Sequence, residues 1–282
     1  MMFLALIGRS FARHRAFLVA LAALLSAFQI LDIVVAYNLQ QNAIYSQFAT
    51  MVPPFIQEAM GGALVGTFMG AVAVGFVHPL VMLSLSCAAI YLASEPAGEV
   101  EDGLVDLVVA RPVRRYLIVT RSAFVCATST LAVVTAMFVT SRVTVHWLTP
   151  DQANVVAASR LGWVALNLLA IVWSLGAGAL LLASHARERA RAAGTVALVA
   201  VFLYLLQFGA AAWTPLRPFA RVSPFHYYEP MRTLMGTVTP IRHLLGLLTA
   251  TVSYGWGIHV VRAPRLVRPA QSPIDLITAY RL

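Results

Sequence analysis

Apolar residues run through this chain in long blocks that neither alternate, as in a half-buried strand, nor form a single stripe, as on a soluble helix. A bilayer core of about 30 Å is crossed by about 20 apolar residues in helical form. Six stretches meet that length, at residues 17–37, 70–93, 122–141, 161–184, 194–213 and 244–261. The second lies in a longer block, residues 59–94, which is 36 residues without Lys, Arg, Asp or Glu. As one helix that block would reach about 54 Å, so its first part, with four glycines between 61 and 70, reads as a separate entry segment on the outer face. His78-Pro79 falls inside the span itself, and a proline there removes a backbone bond and predicts a kink.

Composition turns this pattern into a class. Hydrophobic residues make up 60% of the 282, charged residues only 11%, and mean hydropathy is +0.80. An ordinary soluble domain carries about 25% charge. The pattern predicts an all-α integral membrane protein of six transmembrane helices in a single domain. All 20 residues counted as Lys and Arg are arginine, so the chain has no lysine for a Walker A loop or for Schiff-base chemistry. The basic balance suggests nucleic acid only superficially, because the arginines flank apolar spans as the positive-inside rule requires. No nucleic-acid partner is expected. Cys87 and Cys126 both lie in apolar runs without a CxxC partner, which points to small buried hydrophobes rather than a disulfide or thiolate site.

Arginine positions orient the spans. With the N-terminus in the cytoplasm, fourteen arginines fall inside and six outside, and the first outer loop, residues 38–60, has none. Both termini are therefore expected to be cytoplasmic, with residues 262–282 as a cytoplasmic tail. A signal peptide fits poorly, because an apolar stretch precedes the first arginines and the following apolar run is too long. Residues 1–16 read instead as a short interfacial helix, Phe3, Ile7 and Phe11 on one stripe and Arg9 and Arg13 toward headgroups.

The loop between spans two and three is the most informative segment. Residues 98–111 predict a helix stopped by Pro112, with Glu99, Asp102, Gly103 and Asp106 on one face and Val100, Leu104, Leu107 and Val108 opposite. Glu101 falls at the edge of the apolar face, a poor place for a solvated carboxylate. Five acids in this loop would be repelled by anionic lipid, so a protein partner is a better reading than a connector lying on the membrane.

The run Gly-Glu-Val-Glu-Asp-Gly-Leu-Val-Asp-Leu-Val-Val-Ala-Arg-Pro-Val-Arg-Arg at 98–115 resembles the loop of type-2 permeases of ATP-binding-cassette (ABC) exporters. That family's pattern is close to G-E-x-E-x-G-T-x-D-x-L-L-A-x-P-V-S-R. Gly98, Glu99, Glu101, Gly103, Asp106, Ala110, Pro112 and Arg115 match. Leu104, Val108-Val109 and Arg114 depart from it. Ser-Pro-Phe-His-Tyr-Tyr-Glu-Pro at 223–230 is also similar to the family's stretch before the last span. The resemblance implies a cytoplasmic coupling helix that docks on an ATPase subunit, with Glu99, Glu101, Gly103 and Asp106 as contact surface. Pro112 would act as a rigid stop, and Arg114 and Arg115 would anchor span three. It also implies two ATPase copies per complex, a second identical or related permease, and a bacterial-type cytoplasmic membrane. ATP and Mg would be bound by the partner ATPase, with no cofactor on this chain and no catalysis by it.

Polar residues at bundle depth are the remaining candidates. Asp32 lies 15 residues into span one, about 22 Å from its inner end, and should face the bundle or an aqueous vestibule. His78, Asn167 and Gln207 are candidates for the substrate pathway or for interhelical hydrogen bonds. No HxxxH, HExxH or nucleophile-elbow spacing appears, so neither a metal site nor an intramembrane hydrolase is expected. Residues 214–243, rich in proline, aromatics and arginine, read as an outer re-entrant or cap segment. Residues 185–191 read as a charged inner turn against the ATPase or headgroups. The competing class, a stand-alone six-span secondary transporter or channel, predicts broken helices and mid-membrane charge.

Overall fold

The computed structural model describes residues 2–41, 67–102, 116–152, 156–186, 188–238 and 241–260. Among these the chain is helical, with no strand. The helices are α1 (Met2–Gln41), α2 (Phe68–Val77), α3 (Pro79–Ala93), α4 (Glu95–Glu101), α5 (Tyr116–Leu148), α6 (Ala158–Ala183), α7 (Arg189–Ala212), α8 (Arg217–Ala220), α9 (Pro230–Met235) and α10 (Ile241–Val260). Five of them are long and apolar enough to cross a membrane: α1, α2–α3 taken together, α5, α6 and α7. That is the build of a multi-pass membrane protein. α10 has 20 residues but carries Arg242 and His243 near its start and is not among the five.

α6 is the most buried span. It packs against α3, α5, α7 and α10, while α1 lies along α5 and α2. Small residues allow the close approach of α6, α3 and α5. A Cβ on Gly176 would stand 3.1 Å from Cys126 Sγ and 3.6 Å from Ala89 Cβ, and Cys126 Sγ donates to Ala89 O at 3.5 Å. Trp173 Nε1 donates to Thr130 Oγ1 at 3.1 Å, joining α6 to α5.

Two boundaries differ from expectation. The interfacial helix and first span are one continuous 40-residue helix, because residues 2–41 contain no proline and a single glycine, Gly8. The helix after span two begins at Glu95 rather than Gly98, with Pro96 in its first turn, where a missing N–H costs nothing. The rest of the expected 98–111 helix, with Gly103, Asp106, Pro112, Arg114 and Arg115, lies outside the described residues. So do residues 61–66 of the entry segment and the tail from 262 to 282.

Between α7 and α10 the chain forms short pieces: a 3-10 turn at Thr214–Leu216, α8, a second 3-10 turn at Pro224–Tyr227, and α9. Gly236 ends α9 at φ 73, and a Cβ there would meet the Arg160 guanidinium at 3.0 Å. Only glycine fits both demands. Arg160 Nη1 in turn donates to Leu234 O at 3.1 Å, tying α9 to α6.

Candidate functional site

Polar side chains gather in two layers, one at each end of the α1–α3–α5 bundle. The first is built on the turn at Ser94. Ser94 N bonds Ile90 O at 3.0 Å and its Oγ donates to Tyr91 O at 3.0 Å, closing α3 and starting α4 at once. Glu95 and Glu99, four residues apart, share the α4 face that turns inward toward α1 and α5. Glu95 is only 2% exposed. Such a carboxylate costs several kcal/mol to bury unless opposite charge and donors surround it. They do: Ser10 Oγ donates to Glu95 Oε1 and Oε2 at 3.2 Å, Arg13 Nη1 lies at 3.6 Å, His14 Nε2 at 3.8 Å and Arg121 Nη2 at 3.6 Å. Burial alone would raise the Glu95 carboxyl, but His14, Arg121 and Ser10 together outweigh it and hold it below its ordinary value of 4.5.

Arg121, 4% exposed, bridges both acids through Nη1 to Glu99 Oε1 at 2.9 Å and Nη2 to Glu95. Glu101 points the other way and accepts from the backbone N–H of Arg189 at 2.9 Å. This supplies the first turn of α7 with the acceptor that its own N-cap residue, Glu188, does not provide. The Arg189 side chain folds back over α4. Nη2 donates to Tyr91 O at 2.7 Å, Nε to Ser94 Oγ at 3.3 Å, and Cζ stands 4.1 Å from the Tyr91 ring centroid. A Cβ on Gly98 would come within 3.0 Å of Arg189 Cδ, so glycine leaves the space this crossing occupies.

The second layer surrounds the break in span two. Pro79 has no N–H, so Gly75 O loses its helical donor; Leu80 N turns to His78 Nδ1 at 3.2 Å, so Phe76 O loses its donor as well. Both carbonyls are satisfied from outside the helix. Gln29 Nε2, on α1, donates to Gly75 O at 2.7 Å, and Tyr228 Oη donates to Phe76 O at 3.2 Å. Burial raises the Tyr228 phenol and keeps it a donor. Ser141 Oγ, on α5, donates to Gln29 Oε1 at 3.1 Å, closing the layer. Asp32 lies against the same glycine: a Cβ on Gly75 would be 2.6 Å from Asp32 Oδ2 and 2.8 Å from Gln29 Oε1.

Asn167 and Gln207 fall apart from these layers. Asn167 Nδ2 donates to Tyr227 O at 3.0 Å, leaving its buried Oδ1 without a partner. Gln207 Oε1 meets His226 Nδ1 at 3.2 Å. Desolvation, joined by Arg221 and His243, lowers His226 against the opposing pull of Glu229. His78, at the break itself, lies tilted against Phe28 of α1, with ring centroids 4.9 Å apart. Among the described residues, no group of three or more His, Cys, Asp and Glu stands close enough to hold a metal ion.

Sequence reading missed Glu95, Arg121 and Arg189 in the first layer and Gln29 and Tyr228 in the second. A signal existed for each layer: the four-residue spacing of Glu95 and Glu99, and the carbonyl that a mid-span proline must orphan. No protein-family model matches the chain, and no curated protein or solved structure matches it.

Proposed function

We propose that this chain is the permease subunit of an ABC exporter, forming the substrate pathway and driven by a separate ATPase. The observation that carries the reading is the attachment of α4 to three spans. Glu95 and Glu99 tie it to α1 and α5, and Glu101 and Arg189 tie it to α7. A short helix held this way is a stiff lever: force on its outer surface reaches three helices with little slack. The proposal keeps two ATPase copies, a second permease, a bacterial-type cytoplasmic membrane and cytoplasmic termini. It also revises the docking surface. Glu99 is buried in contacts within the chain and exposed Glu101 is engaged by the Arg189 N–H, which leaves exposed Asp102, with Gly103 and Asp106 after it in sequence, to meet the partner.

The test is co-purification from cells that also express the ABC ATPases of the source genome. One of them is expected to stay with the chain, and Asp102→Arg is expected to weaken that association while leaving the folded permease intact. Retention of none overturns the reading.

A second reading, the stand-alone secondary transporter, is favoured by one observation: the break at His78 with Asp32 beside it, the geometry by which broken helices build ion sites. Flux in vesicles holding this chain alone would decide for it.

A further inference from the structure

The break in span two is lined by acceptors. Asp32 Oδ2 and Gln29 Oε1 both approach within 3 Å of the point where a Cβ on Gly75 would lie, and the same Gln29 amide donates to Gly75 O at 2.7 Å. Of the donors nearby, one hydrogen of Gln29 Nε2 goes to Gly75 O at 2.7 Å, and the Ser141 hydroxyl is shared between Met137 O at 2.9 Å and Gln29 Oε1 at 3.1 Å. Asp32 Oδ2 is buried without a well-formed hydrogen bond, the Gly75 backbone N–H lying near its carboxyl. Two acceptor oxygens aimed at one spot repel each other, and a carboxylate without a counter-charge inside a span is the expensive form.

The charged and titratable groups around it do not relieve this. On α1 itself, the Tyr37 hydroxyl is directed to Asp151 at 3.4 Å. α2 has no ionisable residue, and His78 beyond it accepts from Leu80 N and lies tilted against Phe28. On α5, Arg142 Nη1 is spent on Val156 O at 2.6 Å, and His146 lies a further turn along. The close packing on Gly75 leaves no room for a metal ion with its usual shell of six or so oxygens. A proton needs none.

We propose that Asp32, with Gln29, Ser141 and the helix break at residues 75–79, is an intramembrane proton-binding site. A proton on Asp32 lets its carboxyl donate to Gln29 Oε1, three residues earlier on α1, and removes a bare charge from the face of α1 that packs on Gly75 of α2. Its loss restores that charge against Gly75 and loosens the α1–α2 contact. Asp32 is about 27 Å along α1 from His14, so the site sits near the membrane face opposite the Glu95 cluster. The inference goes beyond the ATPase-coupled reading and is argued from the bundle alone.

Infrared difference spectroscopy of the full chain in proteoliposomes tests it. A protonated-carboxyl band is expected that disappears as pH is raised, is missing in Asp32→Asn, and ignores added sodium or potassium. Ser141→Ala, which removes the hydroxyl that Gln29 Oε1 shares with Met137 O, is expected to raise proton affinity by up to about tenfold. It keeps the test open should Asp32→Asn fail to fold. A titrating band that survives in Asp32→Asn, no titrating band in the native chain, a band abolished by sodium or potassium at fixed pH, or an unmoved titration in Ser141→Ala overturns the proposal. Because no ATPase is present, failure here leaves the permease reading untouched.

Discussion

The guanidinium of Arg121 meets the carboxylate of Glu99 at 2.9 Å while its other nitrogen faces Glu95, so one buried cation serves two buried acids. The planar fork of arginine suits this double duty and the single ammonium of lysine does not. Removing one member of a buried pair leaves the rest uncompensated, at about 3–5 kcal/mol. Arg121→Met is therefore expected to lower thermal stability in detergent by that order, and Arg121→Lys to recover only part of it. Equal stability of Arg121→Met and the native chain would remove the electrostatic account of α4.

The same cluster predicts a pH dependence with a definite sign. Glu95 is held below its ordinary value of 4.5, so its stabilising contribution is complete above about that pH. It is lost as pH falls through the depressed folded value. Melting temperature is expected to be insensitive to Glu95 from neutral pH down to the ordinary carboxylate range and to fall below it. In Glu95→Gln the neutral-pH stability is lower and this acid limb is shallower, as a melting series at stepped pH would record.

Glycines in the spans offer a paired comparison. Gly75→Ala would place a methyl 2.6 Å from Asp32 Oδ2 and 2.8 Å from a Gln29 oxygen already fixed by Ser141. Overpacking of this kind costs about 1–3 kcal/mol. A Cβ on Gly178, in α6, meets nothing within 4 Å. Gly178→Ala is expected to be neutral or stabilising by about 0.5–1 kcal/mol, since alanine is the better helix former. Melting curves of the two variants should move in opposite directions or, at the least, be clearly separated.

Five of the six expected spans were legible because 20-residue apolar runs have few alternatives, and the kink was legible because proline has no N–H to give. The fusion of the interfacial helix to the first span was not. Arg13, His14 and Arg15 signal a membrane edge, yet nothing in their backbone chemistry ends a helix, and Arg13 and His14 find a carboxylate at Glu95 instead of headgroups. The inward turn of Glu99 was hidden for a different reason. A wheel assigns acids to the wet side, and only the arrival of Arg121, 22 residues later and on another helix, reverses that choice. Glu101 was the partial exception: its place beside apolar residues already implied a partner, which the Arg189 N–H supplies.

The two outside donors at the span-two break give the sharpest test, because the defect they repair has a known origin. Gln29→Leu leaves Gly75 O buried without a donor, and Tyr228→Phe does the same to Phe76 O, each at about 1–3 kcal/mol. If Gln29 is there because Pro79 lacks an N–H, then giving that N–H back should make Gln29 dispensable. Pro79→Ala restores a helical donor for Gly75 O, so the Gln29→Leu/Pro79→Ala double variant is expected to be more stable than the sum of the two single effects. The interaction should fall within the range of about 0.5–3 kcal/mol found for residues in one network. Tyr228→Phe, whose carbonyl lost its donor to the His78 turn, should be rescued by Pro79→Ala only if the whole turn straightens into helix, so its coupling to Pro79 reports how far the break heals. Strict additivity of Gln29→Leu with Pro79→Ala in a double-mutant cycle would mean that Gln29 is held at Gly75 by something other than the missing proline hydrogen.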